Sequence, residues 1–141
     1  LRASGALHAG EAKETPVFDK KLLAGLVNLM GAQGPVRYDK GKVIMQEGTA
    51  GALMYVVLEG RVAISIKGGL VARAGAGGVF GEMALVDQSV RAATAMAETD
   101  CSLLAISRAA FLQLVKTSPA FGAALLAGLA ERAKDMAVRN K

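Results

Sequence analysis

Hydrophobic positions along the chain change their period twice, which divides it into three zones. After a polar, Ala-rich leader over 1–15, read as a linker or a frayed helix, Leu22, Leu23, Leu26, Val27, Leu29 and Met30 recur at helical spacing. Asp19 stands at the N-cap position, where a short carboxylate can accept from an open first-turn amide. Gly31 and then Gly34-Pro35 stop the helix. From residue 36 to 106 the pattern turns to strands and tight turns. Val36, Tyr38, Val43, Ile44 and Met45 flank the turn Asp39-Lys40-Gly41, and 52–58 is an apolar strand closed by Glu59-Gly60. Over 61–67, Val62, Ile64 and Ile66 alternate with Ala63 and Ser65, and a turn at Gly68-Gly69 returns 70–74 as the hairpin partner. Two further strands are expected at 92–97 and 101–106, joined by Glu98-Thr99-Asp100.

Beyond residue 106 the period becomes about 3.6 again. Ser107 can cap a helix carrying Phe111, Leu112, Leu114 and Val115. Ser118-Pro119 opens another, with Pro at its first position, that carries Phe121, Leu125, Leu126, Leu129 and Met136. The last helix must dock its apolar face on the rest of the domain or on a partner copy. Short strands between frequent turns, with one helix before and two after, predict a mainly β domain over 16–141. Its architecture is an antiparallel β-roll or jelly roll, closing its edges around a concave interior.

At 141 residues the chain is long enough for one domain with a real core. Hydrophobic residues make up 52% and aromatic ones only 4%, so that core is aliphatic and most of the chain is too apolar for disorder. The net charge of +5 suits an anionic ligand, yet Lys and Arg are scattered, which gives no nucleic-acid footprint. Cys101 has no second cysteine to pair with and is expected as a buried thiol, which fits a reducing, cytoplasmic setting. With His8 the only histidine, a metal site built on His and Cys has too few ligands. The uncharged runs 48–58 and 118–130 fall short of the roughly 18 residues a membrane helix needs. The chain starts at Leu1 without methionine, as a fragment or processed chain would.

The densest chemistry lies over 80–94, F-G-E-M-A-L-V-D-Q-S-V-R-A-A-T. Gly81 lets backbone approach a ligand closely. Glu82 can accept hydrogen bonds from sugar hydroxyls. A short helix over 82–86 is expected to leave its first amides open to an anion. Arg91 follows across the polar loop 87–89 and supplies a planar fork that fits a phosphate. A dinucleotide fingerprint fails in register, because a start at Gly75 would require glycine where Phe80 stands. An enzyme would need a metal cluster or a poised base, and Glu82 is the one carboxylate clearly placed at this stretch, so catalysis is not expected.

This stretch resembles the phosphate-binding cassette of cyclic nucleotide-binding domains, the module of catabolite-activator-type regulators, cyclic-nucleotide-dependent kinases and cyclic-nucleotide-gated channels. The family pattern F-G-E-x-A-L, a loop, then P-R-x-A-T matches without insertion, and the resemblance runs over about 18–132. It implies that Glu82 binds the ribose 2′-hydroxyl and Arg91 the cyclic phosphate. Backbone near Gly81 and Ala84 completes the shell, and Phe80, Met83, Leu85, Ala92 and Ala93 lie alongside. It further implies that the last helix closes as a lid, with Arg132 and Met136 candidates to touch the purine. An alanine directly after the Arg, here Ala92, leans toward cAMP, with cGMP the other candidate. The implied partners are the cyclic nucleotide and an effector domain or protein outside this chain, and a homodimer is compatible. Two departures stand out: Val90 replaces the usual proline, and Gly51-Ala52 replaces the frequent Gly-Asp. Neither is expected to remove a ligand contact. The rival reading is a protein-interaction domain of the same fold with no nucleotide ligand.

Overall fold

A computed structural model describes residues 16–31, 34–86 and 90–139. The leader 1–15, with His8, and the loop 87–89 lie outside the described residues, as does the side chain of Met136. Asp19 accepts from the Leu22 amide at 2.8 Å and opens α1 (Lys20–Met30), which the Gly31 amide closes by donating to the Val27 carbonyl. Leu26 and Met30 turn inward, whereas Leu29 is exposed although it shares the helical spacing.

Among the described residues eight antiparallel strands form two four-stranded sheets, and with three α-helices around them they make the expected jelly roll. One sheet has the order β1 (Val36–Tyr38), β8 (Cys101–Ser107), β3 (Leu53–Glu59), β6 (Val79–Phe80). The other has the order β2 (Val43–Met45), β7 (Thr94–Ala97), β4 (Val62–Ile66), β5 (Gly69–Ala74). Chain neighbours are split between the sheets: β1 and β2 flank one turn, yet β1 pairs with β8 and β2 with β7. The β4–β5 hairpin turns at Lys67 and Gly68, one residue earlier than the glycine pair suggests. Both have positive φ, 51° and 82°, the geometry of a two-residue turn whose twist matches its strands.

The β3–β8 sheet is covered on both faces. Met54, Val56, Leu104 and Ile106 pack outward against Phe18, Leu26, Leu114 and Phe121 from the helical side. Tyr55, Val57 and Leu103 point between the sheets, toward Val62, Phe80 and Ala95. Two-sided burial is why β3 and β8 read as unbroken apolar runs, where a one-sided strand alternates.

The C-terminal helices take up the outward face. Ser107 caps α2 (Arg108–Thr117) by accepting from the Ala110 amide at 3.2 Å, and α3 (Pro119–Arg139) begins with proline at its first position. Phe121 of α3 stacks on Phe18 with ring centroids 5.3 Å apart and meets Phe111 edge-on at 5.8 Å. Leu126, by contrast, is 72% exposed. Gly128 brings α3 close to the strap at 16–18, since a Cβ there would lie 2.7 Å from Val17 Cγ2. That strap is itself tied down by the Val17 and Phe18 amides, which both donate to the Gly77 carbonyl. Residues four apart share a helix face, so this close approach carries Arg132 toward the end of the roll where β6 runs into Gly81. Among the described residues no single helix is long and apolar enough to cross a membrane.

Candidate functional site

Strand β6 delivers the stretch the sequence singles out. Phe80 is buried between the sheets, stacked on Tyr55 with centroids 5.1 Å apart. Gly81 follows in the left-handed region at φ 76°, where a side chain would be strained, and turns the chain into a 3-10 turn, Glu82–Leu85. The helix expected over 82–86 is therefore a single tight turn. In it the Ala84 amide donates to the Gly81 carbonyl at 3.1 Å, so that amide is not open. Ala84 and Leu85 are buried, and Met83 and Val86 face outward.

Arg91 lies under this turn. It is 9% exposed, the one buried charged residue among those described. Its Nη2 donates to the Leu53 carbonyl at 2.8 Å and its Nη1 to the Gly81 carbonyl at 3.3 Å. No carboxylate pairs with it among the described residues; its partners are carbonyl oxygens. A buried cation that keeps its charge calls for a counter-charge, because desolvating it without one is costly. The main chain of Arg91 is fixed as firmly as its side chain. Its amide donates to the Thr49 carbonyl at 2.7 Å, its carbonyl accepts from the Gly48 amide at 2.9 Å, and Ala50 bridges Val90. Three residues on, the Thr94 hydroxyl accepts from the Glu47 amide at 3.0 Å and from Gln46 Nε2 at 3.3 Å, which continues the same seam. Val90 is exposed at this edge, Ala92 is exposed, and Ala93 is half-buried.

Glu82 meets a different environment. Its Oε2 is 3.0 Å from Arg132 Nη1, and Arg132 Nη2 also donates to the Val79 carbonyl. Its Oε1 is buried and has no hydrogen-bond partner among the described residues. One carboxylate oxygen thus belongs to α3 while the other is left for a donor not drawn from those residues. The structure places Arg132 on the carboxylate itself, a contact the spacing of α3 does not reveal.

Three participants carry no motif signal. Leu53 offers its carbonyl to Arg91 through main chain alone. Gly51 faces the Arg91 guanidinium directly. Arg108, in the first turn of α2, donates from Nη1 to the Leu85 carbonyl at 2.8 Å and so grips the end of the 3-10 turn. A cation in a first turn opposes the helix dipole, and that was the one available hint that Arg108 has a task outside its own helix.

Burial pushes the Tyr55 hydroxyl above its ordinary value of 10.0, helped by neighbouring Tyr38 and opposed by the positive charge of Arg91. It is neutral at physiological pH and does not compensate the charge of Arg91.

The cyclic nucleotide-binding domain model matches residues 35–118. Among curated proteins the chain is 38% identical over 104 residues to a cyclic nucleotide-gated potassium channel of Rhizobium etli, covering 74% of this chain and 29% of that protein. It is 37% identical over 103 residues to the cyclic AMP receptor protein of Thermus thermophilus, covering 70% of this chain and 48% of that protein. The chain therefore spans less than half the length of these curated relatives. Among solved structures, the catabolite activator protein of Thermus thermophilus superimposes with a TM-score of 0.72 at 31% identity, over 88% of this chain and 61% of that one.

Proposed function

Because this chain belongs to the cyclic nucleotide-binding domain family, we propose that it is a regulatory sensor that binds a cyclic nucleotide, cAMP in preference to cGMP. It passes the event to an effector through its C-terminal helices. The observation that carries this reading is the buried guanidinium of Arg91, fixed by main chain and matched, among the described residues, by carbonyls alone. The cyclic phosphate supplies its counter-charge by a forked, charge-assisted contact. The ribose 2′-hydroxyl donates to Glu82 Oε1, the oxygen that has no partner among the described residues. Phe80, Gly81, Met83, Ala84, Leu85, Ala92 and Ala93 form the shell around these two anchors. The domain runs over 16–141, and its relatives' names attach the same module to a channel and to a receptor protein.

The route to an effector starts at two contacts. Arg132 ties α3 to Glu82, and Arg108 ties α2 to the end of the same turn. A ligand that orders or shifts the turn acts on both helices at once, with a coupling typically of about 1–3 kcal/mol. The site binds and does not turn over its ligand, since Glu82 is committed to the sugar and to Arg132. The free thiol of Cys101 supports a cytoplasmic setting.

Isothermal titration of the chain, stripped of co-purified nucleotide by unfolding and refolding, tests this directly. Micromolar or tighter binding with cAMP preferred is expected; no heat from either nucleotide in a refolded protein contradicts it. Ala92→Thr adds a hydroxyl at the exposed position after Arg91 and is expected to shift the preference toward cGMP by about 1 kcal/mol, one hydrogen bond's worth.

A further inference from the structure

Gly51 lies against the flat of the Arg91 side chain. A Cβ on Gly51 would stand 2.0 Å from Nε, 2.4 Å from Cζ and 2.6 Å from Nη2 of Arg91, where ordinary contact starts at 3.4 Å. The requirement for glycine here is not conformational. Gly48 and Gly81, on either side of the site, have positive φ, and Gly51 does not. An alanine at position 51 could thus adopt the same backbone, and its methyl group would occupy the place where the guanidinium now lies.

What yields in that conflict follows from the bonding. The strap at 48–50 is joined to residues 90–91 by two main-chain hydrogen bonds and a β-bridge, so the two segments do not slide apart. The guanidinium is held by its two hydrogen bonds, to Leu53 and Gly81 carbonyls, and by the slot itself. Gly81 forms the other wall, its own Cβ position lying 3.1 Å from Arg91 Nη1. We propose that Gly51 is a positioning residue for anion binding: its missing side chain makes the slot that holds the Arg91 guanidinium in place beneath the 3-10 turn. The proposal rests on the reading of Arg91 as the phosphate contact, and it assigns the specificity of that contact to a residue outside the cassette.

The variant is Gly51→Ala, and two readouts separate its failure from that of the functional reading. The first needs no ligand: a crystal structure of G51A is expected to show the Arg91 guanidinium displaced from the Leu53 carbonyl with the strands unmoved. A guanidinium that stays in place overturns the proposal. The second is titration with cAMP in a double-mutant cycle with Arg91→Ala. G51A alone is expected to weaken cAMP binding by about 10- to 100-fold, the worth of hydrogen bonds to a charged group. In the R91A background it is expected to change affinity less than about 2-fold, because its partner is gone. An equal loss in both backgrounds, or none in either, overturns the proposal. A wild-type chain that does not bind cAMP refutes the nucleotide reading instead, and the crystal structure still decides the slot. Should G51A lower Tm, G51A/R91A is expected to match R91A alone; a further drop in the double variant would mean the glycine serves the backbone.

Discussion

Arg91 and Arg132 both direct a guanidinium at the same short turn, and they are held in opposite ways. Arg91 is 9% exposed, bonded to carbonyl oxygens, with its own main chain tied to the strap at 48–50. Arg132 comes from a helix, has a side chain 39% exposed, and is ion-paired with Glu82. A buried arginine that no carboxylate pairs with among the described residues offers its charge, on the proposed function, to the ligand phosphate. A half-exposed arginine paired with Glu82, the proposed sugar contact, is suited to report what happens there. The proposed function thereby puts affinity and signal at different ends of one turn, the first at the seam between the strap at 48–50 and residues 90–91 and the second at the face of a helix.

Removing the rigid end is expected to have the largest effect. Arg91→Ala should cost roughly 2–4 kcal/mol of cAMP affinity by titration, since it deletes the proposed charged partner of the phosphate. A variant that binds as tightly as wild type would favour the protein-interaction reading. Glu82→Gln keeps the shape of the side chain and removes the charge that Arg132 uses and that the proposed ribose contact needs. We expect a loss of about 1–2 kcal/mol in affinity together with faster amide exchange in α3. Arg132→Gln should separate the two effects. Its pair is too exposed to contribute more than about 1 kcal/mol, so affinity changes little, yet the response of α3 to cAMP is expected to shrink. Equal loss of affinity in R132Q and R91A would erase the distinction between the two arginines.

The smallest effect probes the charge of Arg91 itself. The folded Tyr55 hydroxyl titrates above its unfolded value, so its stabilising contribution is complete below about pH 10 and is lost as pH climbs through the folded value. Arg91 pulls against this shift, so R91A should raise the midpoint of Tyr55 ionisation further, read by tyrosinate absorbance, and Tyr55→Phe should remove that transition.

What the sequence made legible follows local rules. Asp19 and Ser107 bond amides three residues on, Pro119 fills a first helical position, and residues 80–94 carry their chemistry in a single run, so each could be read from neighbours. The sheet partners were not legible, because β1 and β2 each pair with strands far along the chain. Leu29 and Leu126 fit the helical spacing but face away from the core, which depends on how the helices dock. Gly51 is hidden for a similar reason: it is the half of Gly51-Ala52 that keeps the family's Gly-Asp pattern, and its meaning appears only when Arg91, forty residues later, lies against it. The Glu82–Arg132 pair spans fifty residues and is equally hidden, although each member is a candidate site residue on its own.

Hydrogen exchange across α3 (Pro119–Arg139), with and without saturating cAMP, bears most directly on the division of labour between the two arginines. Exchange in α3 that changes on cAMP addition in wild type, and changes less in R132Q at matched occupancy, is the expected result. Full cAMP binding with α3 exchange unaltered would mean that Glu82 holds the sugar without passing anything to the helix.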